Sequence, residues 1–235
     1  MTDGKQMSFM HKLNKKIAIP TLCALAVITV GVTVAYFTSA ARSNNSFTVG
    51  TNTITIDENF KPPKELKTGL NTYKKQIKIK NTGTTDAFVR VYAEFSDSDA
   101  GNSSFISSDA PSSVSIPEGT SFSDASKKLK AAGYKSHDEF WSTDGPTNGW
   151  TYIPNDENNE SDELGGYFYY TKQIAPGEKT NDLINTIATY YETADQLKDY
   201  EVIVYAESVQ TADINGETFE DSEWQKAWDE FTSRK

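Results

Sequence analysis

From Ile17 to Phe37 the chain runs for 21 residues without a charged side chain, directly after the basic patch His11-Lys12-Leu13-Asn14-Lys15-Lys16. Positive charge ahead of an apolar run, with small residues at its end, is the pattern of a secretory signal. The run is also long enough to cross a bilayer as an uncleaved anchor, which takes roughly 20 apolar residues. The small residues favour cleavage. Thr33-Val34-Ala35 puts small side chains at the third and last positions before a bond between Ala35 and Tyr36, and Ser39-Ala40-Ala41 offers a second candidate. Cys23 follows the bulky Leu22 in mid-run and reads as a small apolar residue of the signal, not as a lipid-bearing cysteine.

That single cysteine and two histidines, His11 and His137, exclude a zinc ribbon, a disulfide framework or a thiol redox pair within one chain. A net charge of −10 argues against nucleic acid, whose phosphates call for clustered Lys and Arg. Residues 1–35 carry four lysines and one aspartate, so their removal takes the charge to −13 and leaves His137 but no cysteine. An acidic, cysteine-free exported chain suits the surface of a single-membrane, Gram-positive bacterial cell, where a fold must hold without disulfides. The membrane is then met only before signal cleavage. With 235 residues, 37% of them apolar, the chain has room for one domain with an appendage.

Beyond the signal the pattern is one of strands. Tyr73-Lys74-Lys75-Gln76-Ile77-Lys78-Ile79-Lys80 alternates, with Tyr73, Ile77 and Ile79 on one face. Asn81-Thr82-Gly83-Thr84 follows as a turn, then Phe88-Val89-Arg90-Val91-Tyr92-Ala93-Glu94-Phe95, which predicts an antiparallel hairpin with Val89, Val91, Ala93 and Phe95 inward. Residues 164–170 and 200–207 are rich in aromatic and β-branched residues, as half-buried strands are. Phe47, Val49, Ile54 and Ile56 suit a first strand, with Gly50-Thr51-Asn52 shifting the alternation by a bulge. The expected fold is mainly β, a β-sandwich.

Two helices interrupt it. Ser123 is positioned to cap one whose Ala125, Leu129 and Ala132 share a face and which Gly133 ends. Near the carboxyl end Ser222 and Gln225 have capping-box spacing, and Trp224, Ala227, Trp228 and Phe231 form a stripe that predicts a helix packed on the sandwich. The stretch from Ser96 to Ser121 reads as a long surface loop, within an insertion over about 96–140.

In this order of features the chain resembles the TasA/camelysin family of exported bacterial surface proteins, especially its clostridial-type, BsaA-like members. The matching pieces are the signal ending Val34-Ala35-Tyr36-Phe37-Thr38, then Asn45-Ser46-Phe47-Thr48-Val49-Gly50, the Ile79–Thr84 and Phe88–Val91 runs, Gly166-Tyr167-Phe168-Tyr169-Tyr170 with Pro176-Gly177-Glu178-Lys179-Thr180, and Ala206-Glu207-Ser208-Val209-Gln210 before the tryptophan helix. The resemblance implies a jelly-roll-like sandwich over 47–235, a signal over 1–35 removed by a SipW-type signal peptidase, and head-to-tail self-assembly into extracellular biofilm matrix fibres. It also implies that the new amino-terminal segment, 36–46, is a donor strand completing a sheet of the next subunit. That segment is Tyr36, Phe37, Thr38, Ser39, Ala40, Ala41, Arg42, Ser43, Asn44, Asn45 and Ser46. A membrane-tethered terminus cannot insert into a neighbour, so cleavage would switch assembly on. The plain alternative is that 36–46 is a frayed tail.

Other chemistries have less behind them. There is no His-Glu-x-x-His, and one mature histidine cannot supply a two-histidine zinc site, so neither a metal nor another cofactor is expected. His137, between Ser136 and Asp138, reads as a surface histidine. The acidic run Asn155–Glu163 lacks the glycine-centred spacing of a calcium loop, and Asp97, Asp99 and Asn102 add only a faint cation signal. Lys75 shares the inward face of its strand, as an isopeptide-forming lysine would, but a lysine on an edge strand reaching solvent is the simpler reading. The chain ends without a Leu-Pro-x-Thr-Gly sorting signal. The expectation is a non-enzymatic secreted fibre subunit. The runner-up is a monomeric adhesin or carbohydrate-binding module that presents Trp141, Trp150, Tyr152 and Tyr167 as stacking platforms, and a hydrolase comes last.

Overall fold

Alternating and apolar runs along the chain become β1 (Ile54–Phe60), β2 (Gly69–Asn81), β3 (Ala87–Phe95), α1 (Ser98–Asn102), β4 (Ser104–Ser107), α2 (Phe122–Ala131), β5 (Lys135–Ser136), α3 (His137–Phe140), β6 (Trp150–Ile153), β7 (Tyr167–Tyr170), β8 (Ile184–Tyr191), β9 (Val202–Gln210) and α4 (Trp224–Thr232). The computed structural model describes residues 52–60, 65–156, 163–213 and 215–233. The expected segments 1–35 and 36–46, the Ala35–Tyr36 bond, Phe47 and Val49, and most of the acidic run lie outside the described residues.

The strands form two antiparallel sheets, ordered β1-β2-β8-β4-β5 and β6-β7-β3-β9. This is the jelly-roll-like sandwich expected, mainly β with short helices and a carboxyl-terminal helix. Its core lies between the sheets. Tyr73, Ile77 and Ile79 of β2 face Val89, Val91, Ala93 and Phe95 of β3, joined by Ile106, Phe168, Ile184 and Ile187. The inward faces of β2 and β3 are thus those the alternation gives, because side chains on a pleated strand switch sides at every residue.

The β2–β3 hairpin is not formed, since the two strands belong to opposite sheets. Asn81 explains why. Fully buried, it donates from Nδ2 to the carbonyls of Thr85 and Ile174, both at 2.8 Å, and accepts from the Gly83 N–H at 2.9 Å. The turn residues therefore tie down a crossover between sheets, and the adjacent segment 177–183 supplies main-chain bonds to Ile77, Ile79 and Asn81.

Three further expectations are corrected. Ser96–Ser121 is not wholly a surface loop, because Ser104-Phe105-Ile106-Ser107 is β4, buried at every residue and paired with β8. Four residues between serines are too short to show a period. The cap of α2 is Ser121, not Ser123, its hydroxyl accepting from the Asp124 N–H at 3.2 Å, and the helix starts early enough for Phe122 to meet Phe105 at 5.7 Å. Ahead of α4 a 3-10 turn spans Asp221–Glu223, and the capping box is Glu220 with Glu223, the Glu220 N–H donating to Glu223 at 3.0 Å, not Ser222 with Gln225.

The outer faces are covered too. Trp224, Ala227, Trp228 and Phe231 of α4 pack on Phe88, Tyr169 and Val209, as the stripe predicts. Over the other sheet, Leu129 of α2 and Tyr134 cover Phe105 and Ala188.

Candidate functional site at the open seam

β1 and β9 are edge strands of the two sheets and lie beside one another on the same side of the sandwich. One end of this seam is closed. Asn52 Nδ2 donates to the Ser208 carbonyl at 3.1 Å, and Ser208 Oγ donates back to Asn52 Oδ1 at 3.0 Å. The other end, between Phe60 and Val202, is open.

Register shows how incompletely the core is sealed there. The β3 residues Val89, Val91, Ala93 and Phe95 are at most 5% exposed, while their β9 partners Ser208, Ala206, Val204 and Val202 are only half-buried although they face the same core. On β1, Ile54 and Ile56 are half-buried and Phe60 is 42% exposed. Moving one such large side chain from half to full burial contributes about 1 kcal/mol. The core is thus less covered along this side, where β1 and β9 are the outer strands of their sheets among the described residues.

The open end holds a cavity of about 390 Å³ lined by Phe60, Leu66, Tyr73, Lys75, Asp199, Tyr200, Glu201 and Val202. Phe60 and Tyr73 meet edge to face at 5.9 Å. Tyr73 Oη is buried without a hydrogen bond among the described residues, and burial pushes its pKa above the ordinary phenol value against an opposing pull from Thr189. Tyr200 shares a hydrogen bond with Thr189 at 2.9 Å.

Lys75 belongs to this wall, and the edge-strand reading of it is wrong. β2 is flanked by β1 and β8, and Lys75 is 6% exposed, with Nζ 2.5 Å from Glu58 Oε1 and 4.4 Å from the Phe60 ring centroid. A β-bulge on β2, which spends one extra residue between Lys74 and Ile77, accompanies this inward lysine.

Of the proposed stacking platforms Trp150 is buried, while Trp141, Tyr152 and Tyr167 are half-exposed and each packs on a neighbour. Trp150 is 4% exposed and donates from Nε1 to the Asn181 carbonyl at 3.1 Å. Trp141 donates to the Ala93 carbonyl at 2.9 Å and has the His137 ring stacked on it at 4.4 Å. Tyr152 packs on Phe168 at 4.7 Å, and Tyr167 faces the Arg90 guanidinium at 4.0 Å. A smaller cleft of about 280 Å³ runs past Tyr92, His137, Trp141 and Tyr152. Beside it Tyr92 is hydrogen-bonded to Glu94, which pushes the phenol up to about 12.

Sequence reasoning found Lys75, His137 and the aromatics but missed Phe60, Asp199, Tyr200 and Glu201. The available signal was weak: Phe60 ends an alternating run just before Pro62-Pro63, and Tyr200 opens a β-rich one.

The model of the camelysin metallo-endopeptidase family matches residues 8–105, from the basic patch through β1, β2, β3 and into β4. Over those 98 residues, about two fifths of the chain, the match supports the resemblance to the TasA/camelysin family. Comparison with curated proteins gives no match. TasA/camelysin proteins are extracellular or cell-surface proteins. The peptidase in the matched name implies a metal, and the described residues do not fit one: among them no three His, Cys, Asp or Glu side chains converge, and His137, stacked on Trp141, has Asp138 at 3.1 Å as its one hydrogen-bonding neighbour among them.

Proposed function

We propose that this chain is a secreted, non-enzymatic structural subunit, released by a SipW-type signal peptidase, which polymerises head to tail into extracellular matrix fibres by donor-strand exchange. The observation behind this reading is the seam. The inward side chains of β9 and β1 remain half-exposed beside two strand edges that are unpaired among the described residues, and an extended segment placed there gains main-chain hydrogen bonds while its alternate side chains enter the groove. The segment Tyr36–Ser46 ends seven residues before β1 and becomes the amino terminus when the Ala35–Tyr36 bond is cut. One copy's donor in the next copy's groove is a heterologous contact that does not close, and so grows a filament.

The test compares a chain starting at Tyr36 with one starting at Phe47 by electron microscopy and size-exclusion chromatography. The first is expected to form filaments and the second to stay monomeric. Monomers from both at high concentration would remove self-assembly from the account.

A further inference from the structure

An extended donor that slides by two residues keeps its main-chain hydrogen bonds, so a groove needs a side-chain feature to fix register. Within Tyr36–Ser46 most residues are small or polar, and Arg42 is the one charged side chain. The open end of the seam carries its own unspent charge. Asp199 and Glu201 line the cavity, are exposed, and make no side-chain ion pair or hydrogen bond among the described residues. The lysines near them are neutralised, Lys75 by Glu58 at 2.5 Å and Lys198 by Asp99 at 2.5 Å and Asp97 at 3.5 Å. Behind this acidic lip stand Phe60, Leu66 and Val202, and the buried Tyr73 Oη, which makes no hydrogen bond among the described residues.

An acidic lip, an apolar wall and a hydroxyl able to accept describe a receptor for a cation on an apolar stem. Arginine fits it, with three methylenes to cover the wall and a planar fork of donors for carboxylates. Resting on the strand-exchange reading, we infer that Arg42 of one copy binds Asp199 and Glu201 of the next and so sets the register of the inserted strand. Cleavage after either Ala35 or Ala41 leaves Arg42 on the mature chain.

A charge exchange between copies tests this. Three chains starting at Tyr36 are compared by sedimentation and electron microscopy: the natural sequence, Arg42→Glu, and Asp199→Lys with Glu201→Lys. Thermal unfolding confirms that each variant is folded, as expected for changes at exposed positions and in the donor. Each variant alone is expected to need about a hundredfold higher concentration than the natural chain to polymerise, because like charges then meet. Mixed in equal amounts they are expected to copolymerise, since each donor then meets a lip of opposite charge. Filaments from Arg42→Glu alone at the natural concentration, or a mixture that stays monomeric, overturn the pairing and leave strand exchange standing. A natural chain that never polymerises overturns both.

Discussion

Arg90 shows how much structure one buried cation can organise. It is 2% exposed, with Nε 2.7 Å and Nη2 2.5 Å from Glu207, and Nη1 bonded to the Glu163 carbonyl at 2.8 Å and to Tyr169 Oη at 3.2 Å. Its plane is sandwiched between Tyr167 at 4.0 Å and Trp228 at 4.5 Å. Arg90→Ala removes the cation from Glu207, the support from the 163–164 segment and the stack under α4. The expected loss is about 3–5 kcal/mol, read as a lower denaturation midpoint, since breaking a buried pair strands its partner. Asn81→Ala takes the side-chain donor from the Thr85 carbonyl, leaves the Ile174 carbonyl only the Ala87 N–H at 3.2 Å, and is expected to cost about 2–4 kcal/mol by the same measurement. Neither role was legible. Asn81 reads as an ordinary turn residue and Arg90 as the polar position of an alternating strand, because sequence shows alternation but not what covers the outer face. Lys75 was seen to face inward, and its partner Glu58 was not, since pairing across strands depends on register.

At the scale of elements, long periodic segments were legible and short or doubly covered ones were not. β2 shows its alternation because its outer face carries Lys74, Lys78 and Lys80, whereas β4 is buried on both faces and four residues long. The stripe of α4 was legible because four large or small apolar residues recur at helical spacing and nothing else in the segment competes. Its burial makes a quantitative expectation. Trp228 is fully buried against Tyr169 at 5.7 Å, so Trp228→Ala is expected to destabilise by about 3–5 kcal/mol and to increase binding of a hydrophobic dye to the uncovered sheet. If the midpoint does not move, α4 is not part of the cooperative unit.

At the scale of the whole molecule, the pH dependence of stability has a definite sign. Asp57 is held below the usual carboxylate range by its hydrogen bond to Lys179, and Glu139 by its bond to Lys130. Groups with depressed native values stabilise above the unfolded carboxylate value, and that contribution is lost as pH falls through the native one. The phenols of Tyr73 and Tyr92 are shifted the other way, so their contribution is full below about pH 10, the unfolded phenol value, and is lost as pH rises beyond it. Melting temperatures are therefore expected to fall on both sides of a neutral plateau. Fold class was legible at this scale through repeated β-rich runs and turns. The order of strands was not, because Asn-Thr-Gly serves a crossover as well as a hairpin, and the open seam arises only when β1 and β9, 142 positions apart at their closest ends, become neighbouring edges.

That seam carries the account, and it can be tested without filaments. A chain starting at Phe47 is titrated with a peptide of the sequence Tyr36–Ser46, beside a scrambled peptide, while its thermal midpoint is followed. Strand complementation predicts saturable one-to-one binding of the natural peptide, with about 2.7 kcal/mol of added stability at a hundredfold excess over Kd, and no such shift with the scrambled one. A midpoint unmoved by the natural peptide, or moved equally by both, would contradict it.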